Sequence, residues 1–552
     1  VSQQRSLALI GAHLITNTNS TENSDVQSAA PAHTALLIED GRISQLGSDT
    51  EIRNLAAQAG IAVRDVGGAT ITPGLFDSHT HPHWAVEVTR GIDLGGLSTV
   101  EDVAQAIKAH ANTLQPDEWV LGWNLEYEPF EASGIRGALF DEATGGRPFA
   151  AMFYDLHTGL ANAQALAAAG VIASRDFSDL SEIVTDEHGT MTGELREPSA
   201  YRLVFDAVPP MNHDEERDAL RDMFRTFAKV GLTGGAIMDG KPATVDLLNE
   251  LEERSELDHR ITVHHWHAVD DDDAAVERVI AAKDRRGALW QTGAIKLFSD
   301  GVIDTGTAWL HHADSCGDGK LAFWPDWQRF RDVVRRYHDA GMLIATHAVG
   351  DYAVSQVLDV YAELPHRPGL PQHSIEHLEV LSDDDLRALE DSSVTASMQP
   401  LHMQWRAPDH SDNWAERLGD RASTGYRVRD VLRTHTRVTL GSDWPVAQFD
   451  PRIGMAWARG RHTPGDANAH VFEPEQRLTA EEALLAYTLW PAQARGHDDR
   501  GMLKPGVVTD LTIWQRDPIA ATPDELVTLP ILATIVDGRI VHDSDATSQH
   551  SG

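Results

Sequence analysis

From residue 214 to residue 443 the chain keeps one rhythm, in which a short apolar run is followed by a segment of helix length and then by another such run. The runs are Gly231–Asp239, Arg260–His267, Gly293–Ser299, Met342–Ala348, His373–Leu378, Val394–Pro400 and Arg437–Asp443. Ahead of them, Leu220, Met223, Phe224, Phe227 and Val230 fall at helical spacing on one face, and Gly231 supplies a helix stop. With the apolar run that enters His79 counted first, eight strands alternate with helices. That predicts an α/β chain built on a (β/α)8 barrel.

The rest of the chain arranges itself around this frame. Residues 71–84 and 214–499 are assigned to the barrel, and residues 85–213 to an insertion after its first strand. The insertion carries a helix-like segment at 99–114 and strand-like runs at Glu118–Trp123 and Pro148–Tyr154. Two long loops, Asp300–Phe323 and His402–Arg427, follow barrel strands and should lie over the C-terminal mouth. Residues 1–70 and 500–545 read as one composite β-sandwich, because Ile38–Ile43 and Ile535–Ile540 are like hairpins turning on Asp40-Gly41 and Asp537-Gly538. Thr479-Ala-Glu-Glu482 is a capping-box start for a helix running to about Arg495. Asn17–Ala32 reads as a mobile loop, and the last ten residues as a polar, disordered tail.

The strand ends carry the chemistry. His79 and His81, two residues apart on a strand, point to the same side with Cα atoms roughly 6–7 Å apart. Two surface histidines at a strand end would also satisfy that spacing. Later strands end in Ala345-Thr-His347, Ile375-Glu-His377 and Gly441-Ser-Asp443, and Lys296 sits inside the apolar run Ala294–Phe298. Neutral imidazoles and a carboxylate are what a zinc-like divalent ion prefers. A lysine buried in apolar surroundings tends to lose its charge and can add carbon dioxide, becoming an oxygen donor able to bridge two ions. A buried ion pair with a carboxylate explains Lys296 equally well. His83 extends the alternation, but Pro82 interrupts the strand and leaves it a rim residue.

Composition excludes some functions. With 46 Lys+Arg against 84 Asp+Glu, the formal charge of −38 argues against a general basic surface for nucleic acid or anionic membrane. The single cysteine, Cys316, rules out an intrachain disulfide and fits a reducing, cytoplasmic location. No apolar run is long enough to span a bilayer, and the N-terminal residues lack the regions of a signal peptide. The expected partner is a small-molecule substrate, with no nucleic acid and no membrane; a homo-oligomer is left open.

The sequence resembles the amidohydrolase superfamily of metal-dependent hydrolases, in the branch that includes N-substituted formamide deformylases. The matching segments are Pro73–Asp77 running into His79-Thr-His81, Ile295–Gly301, Thr346–Asp351, Ile375-Glu-His377, Leu440–Pro445 and Gly501–Asp510. The resemblance implies a distorted barrel with a β-sandwich from both termini. It also implies His79, His81 and Asp443 on one divalent ion, His347 and His377 on a second, and Lys296, carboxylated, between them. Zinc is the expected metal, as one ion or two. The segments Tyr154–Asn162 and Gly193–Glu197 resemble parts of that branch that reach back over the pocket. His157 could then bond a substrate or an oxyanion, or be a helix-start histidine satisfied locally, and Glu197 is a weaker candidate. Asp443, His377 and His157 are the candidate catalytic residues.

The reaction that follows is hydrolysis of an amide-type C–N bond, N-acyl or N-formyl, by a metal-activated hydroxide, with Asp443 carrying the proton. Ester, carbamate or lactone hydrolysis on the same centre is the neighbouring alternative. A non-catalytic regulatory or binding protein with the same fold is the alternative of another class. Trp84, Trp123, Trp309, Trp405 and Trp444 fall near strand ends or mouth loops and suggest a pocket for an apolar or aromatic substituent.

Overall fold

A computed structural model describes residues 5–16, 33–177, 179–367, 370–466 and 468–544. The loop expected at 17–32 and residues 545–552 of the expected tail lie outside the described residues.

The central sheet is parallel and has eight strands: β1 (Leu75–Thr80), β2 (Leu232–Gly240), β3 (Arg260–Trp266), β4 (Trp290–Phe298), β5 (Leu343–Ala348), β6 (Ser374–His377), β7 (Thr395–Met398) and β8 (Arg437–Leu440). Each pairs with its neighbour in chain order. The ring closes where Thr80 bridges to Trp444, with Asp443 N–H donating to the His79 carbonyl at 2.8 Å and His81 N–H to that of Trp444 at 2.8 Å. The fold is therefore the expected barrel, with helices between its strands.

The helix before β2, His213–Lys229, begins on a capping box from Asn212 and Glu215 and buries Leu220, Phe224 and Phe227 against the barrel. Each such side chain contributes about 1.5–3 kcal/mol on burial.

The opening apolar run is two strands rather than one. Thr70–Pro73 pairs with Leu511–Trp514 in a five-stranded sheet, and β1 starts at Leu75. Gly74 makes the join: a Cβ there would lie 2.2 Å from Thr233 Oγ1, so only glycine lets the chain pass from sheet to barrel. A four-stranded sheet of residues 7–10, 35–39, 42–47 and 63–65 packs on the five-stranded one through Leu9, Ile38, Ile43, Ile71, Leu511 and Ile535. Both ends of the chain thus build one β-sandwich. Its two hairpins have Asp40, Gly41, Asp537 and Gly538 at positive φ, as tight two-residue turns require.

The insertion after β1 holds a six-stranded sheet that includes Val120–Leu125, Phe149–Phe153, Thr158–Ala161 and Met191–Arg196. The helix expected at 99–114 runs over Val100–Ala111.

The helix that starts on the Thr479 capping box does not reach Arg495 unbroken. It stops at Ala486 and restarts at Leu489–Ala494. Pro491 has no N–H to offer the Tyr487 carbonyl four residues back, and that carbonyl instead accepts the Phe76 N–H of β1 at 2.7 Å.

Candidate metal centre

The closure of the barrel assembles the site. The buried Asp77 carboxylate accepts the His79 N–H at 3.0 Å, the Ser442 N–H at 3.1 Å and the Ser442 hydroxyl at 2.6 Å, tying the end of β1 to the turn after β8. Burial pushes Asp77 up to about 6 despite these bonds. A Cβ on Gly441 would come within 2.6 Å of His79 N, so the turn can lie this close only as glycine. Asp443 follows at φ +60°, a left-handed conformation that Asp tolerates better than most residues. Its Oδ1 sits 3.3 Å from His79 Nε2 and 3.0 Å from His81 Nε2, and its Oδ2 sits 3.9 Å from His377 Nδ1.

On β6 the strand period sends Glu376 and His377 to opposite sides. Glu376 points into the barrel, where it accepts a hydrogen bond from His79 Nδ1 at 2.7 Å and one from the Ser374 hydroxyl. At His377 the backbone turns to φ +77° and the strand ends. The His377 ring then lies 4.8 Å from that of His79 and 4.5 Å from that of His347. His347 Nε2 donates to the Gly301 carbonyl at 3.0 Å, which leaves Nδ1 as its lone-pair nitrogen.

Electrostatics keep these rings neutral. Burial, then the charge of Lys296, hold His79 and His347 well below the usual imidazole range; burial and the neighbouring imidazoles do the same for His377. Lys296 is fully buried, and burial draws it down to about 8 against the pull of Glu376 and Asp443. Its Nζ lies 3.2 Å from His79 Nε2. Burial opposes charge on Asp443 and the hydrogen bond from His81 Nε2 at 3.0 Å favours it; the carboxyl lies below its usual range.

The donor set fits a divalent ion. Because His79 gives its Nδ1 proton to Glu376, its Nε2 lone pair faces the Asp443 carboxylate at 3.3 Å. With the Lys296 amine beside them at 3.2 Å from Nε2, this imidazole and carboxylate form a donor pair that a divalent ion can take. His79, His377 and Asp443 each offer an atom, all within 4.8 Å of one another. His81 and Lys296 adjoin that group, and His347 stands one ring further out.

The insertion contributes a histidine of the opposite character. His157, in the turn between two strands of the inserted sheet, bonds Glu197 through Nδ1 at 2.8 Å, and its ring is 5.8 Å from that of His347. Burial opposes its protonation, but the charge and hydrogen bond of Glu197 win and push it up to about 9. Glu197 is itself fully buried at φ +63° and accepts a second bond from Thr307 Oγ1 at 2.7 Å. His157 is therefore a cation at neutral pH. It does not start a helix.

Above these groups opens a cavity. Of the five tryptophans expected around it, Trp84 and Trp405 line it, joined by Trp266 and Trp414. Trp123 and Trp444 pack on each other at 5.8 Å, and Trp309 packs between Trp327 and Tyr352. Proximity in sequence to a strand end does not fix which way a ring turns. His83 is a correction too: the helix Pro82–Val88 folds it inward to 3% exposure, with Nε2 2.7 Å from Glu216 and Nδ1 2.7 Å from Thr244 Oγ1. Sequence reasoning missed Glu376, Asp77, Asp304, Glu379 and His402. A lone signal existed for Glu376, an acid flanking His377 in an otherwise apolar strand.

The amidohydrolase family model matches residues 62–542. The chain is 28% identical to an N-substituted formamide deformylase of Arthrobacter pascens, over 98% of this chain and 99% of the relative. It is 27% identical to Protein LONG AFTER FAR-RED 3 of Arabidopsis thaliana, over 93% of this chain and 89% of the relative. Among solved structures, an uncharacterized metal-dependent hydrolase from Pyrococcus horikoshii superposes with a TM-score of 0.72 at 20% identity, covering 94% of this chain and 99% of that one. No described helix is long and apolar enough to cross a membrane.

Proposed function

The chain belongs to the amidohydrolase family, and from that premise we propose that it is a metal-dependent hydrolase cleaving the C–N bond of a small N-formyl or N-acyl amide with an apolar or aromatic substituent. The observation that carries this reading is the single carboxylate of Asp443 within 3.9 Å of His79, His81 and His377, directly beneath the cavity. His79, His81, His377, His347, Asp443 and Lys296 would hold the metal, most simply zinc. A divalent ion bound there supplies Lewis acidity, lowering the pKa of water and polarising a carbonyl.

The residues of the chain divide the remaining work. Asp443, kept ionised, takes the proton from the attacking water and hands it to the leaving nitrogen. His157, kept protonated by Glu197, donates to the carbonyl oxygen as negative charge develops on it. Glu376 holds the His79 ring in the tautomer that turns Nε2 to the centre. The aromatic wall excludes water and receives the substituent.

The test is a panel of N-formyl and N-acyl amides with matched esters, assayed on zinc-loaded protein. Amide turnover that disappears with chelation is the expected result. Turnover of esters alone would replace the bond assignment. Failure with every acyl compound at full metal loading would favour a binding or regulatory role.

A further inference from the structure

One end of the mouth cavity carries two carboxylates and an imidazole among its aromatic faces, and no step proposed above uses those three polar groups. His402 and Trp405, from the segment after β7, line the cavity, with the His402 ring 6.4 Å from that of His377 and 5.4 Å from that of Trp405. Trp405 stacks on Tyr154 of the insertion at 4.3 Å, and Trp414 stacks on Tyr426 at 5.5 Å. Two carboxylates, Asp304 and Glu379, line the same cavity.

These polar groups share one deficit. Glu379 Oε2 accepts from Trp414 Nε1 at 2.9 Å, and its Oε1 stands 3.7 Å from His402 Nδ1. Among the described residues, Asp304 makes no ion pair, and its only hydrogen bond is to its own backbone. His402 is 93% buried, yet its Nε2 finds no partner. Burial, then the charges of Asp155 and Glu379, push Asp304 up to about 8. Arg406, which lines the cavity alongside them, stacks over the rings of Trp414 and Phe472 and pairs with Glu473 through Nη1 at 3.0 Å, while its Nε and Nη2 find no partner among the described residues.

We infer that this end of the cavity is a cation subsite, and that the substrate carries a protonated amine or similar organic cation on its substituent, held by Asp304, Glu379 and His402 Nε2 against the faces of Trp405, Tyr154 and Tyr426. An ammonium supplies the donors that the acceptors lack. A desolvated aromatic wall binds a cation more tightly than it binds a neutral group of the same shape. The inference rests on the hydrolase reading and narrows its substrate class from an apolar amide to a cationic one.

The test uses the N-formyl derivatives of 1,4-bis(aminomethyl)benzene, 4-ethylbenzylamine and 4-(aminomethyl)phenylacetate, which end in an ammonium, a methyl and a carboxylate on one scaffold. With zinc-loaded protein, kcat/KM for the ammonium compound should exceed that for the ethyl compound by about tenfold or more. Asp304→Asn should collapse that ratio, and Trp405→Leu should lower it. Because each ratio is taken within one protein preparation, a partly unfolded variant does not disturb it. Equal rates for ammonium and ethyl compounds would overturn the inference and leave the hydrolase reading intact, and so would a preference for the carboxylate, which would assign recognition to Arg406. If none of the three is hydrolysed, the hydrolase reading is in question, and calorimetric titration with the same compounds still decides the subsite. Tighter binding of the ammonium compound supports it; equal or reversed affinities sink it.

Discussion

Three buried histidines of the barrel rim and one of the insertion meet at the mouth, and burial acts on all four in the same sense. At the barrel rim His79, His347 and His377 are driven well below the usual imidazole range, with the charge of Lys296 adding to burial. On the insertion His157 is driven up to about 9, because Glu197 outweighs burial. Local charge alone separates a lone-pair donor from a proton donor. The barrel thus supplies groups that hold a cation, and the insertion supplies a group that meets an anion.

The contrast can be broken at several points. Asp443→Asn should lower kcat by about 10³-fold, since it removes the proton carrier; near-normal turnover with metal retained would remove that role. Glu197→Gln should reduce turnover by about 10²-fold at pH 8.5 and by less at pH 6, because His157 then loses its proton at lower pH. Metal content should not change, which separates the insertion's part from the barrel's. A loss of bound metal in this variant would merge the two parts into one. Glu376→Gln should do the reverse, weakening metal affinity by about 10–100-fold while leaving any pH limb from His157 in place; equilibrium dialysis with zinc measures it.

The smallest effect is on stability. The folded pKa of His157 lies above its usual 6.5, so its contribution is fully present below about pH 6.5 and is lost as pH rises through about 9. Thermal melts of the parent should therefore fall more between pH 6.5 and 9 than those of Glu197→Gln. Parallel curves would remove the ion pair from the account.

The barrel was legible because its signal is local and repeated. Each of the eight strands is a short apolar run between helices, and the polar residues that close those runs are readable as a pattern. The partners were not legible, since they are distant in sequence. Glu376 meets His79 across 297 positions, and Ser442 meets Asp77 across 365. Backbone reversals were hidden as well. Strand period alone would point His377 away from the centre, and only its left-handed φ of +77° ends the strand at this residue. The break at Thr488 could have been read from Pro491, whereas the demand for a free carbonyl at Tyr487 comes from Phe76, far earlier in the chain. Rings failed for a third reason: five tryptophans near strand ends divide between the cavity and packing against other rings according to side-chain direction, which spacing does not encode.

The most direct test of the central claim is a metal titration of chelator-stripped protein, followed by hydrolysis of an N-formyl arylalkylamine. Activity should be absent after stripping and return in proportion to added zinc, reaching its plateau at one or two equivalents per chain. Full turnover by the stripped protein, or zinc binding that restores none, would contradict the assignment of His79, His81, Lys296, His347, His377 and Asp443 as the centre of the reaction.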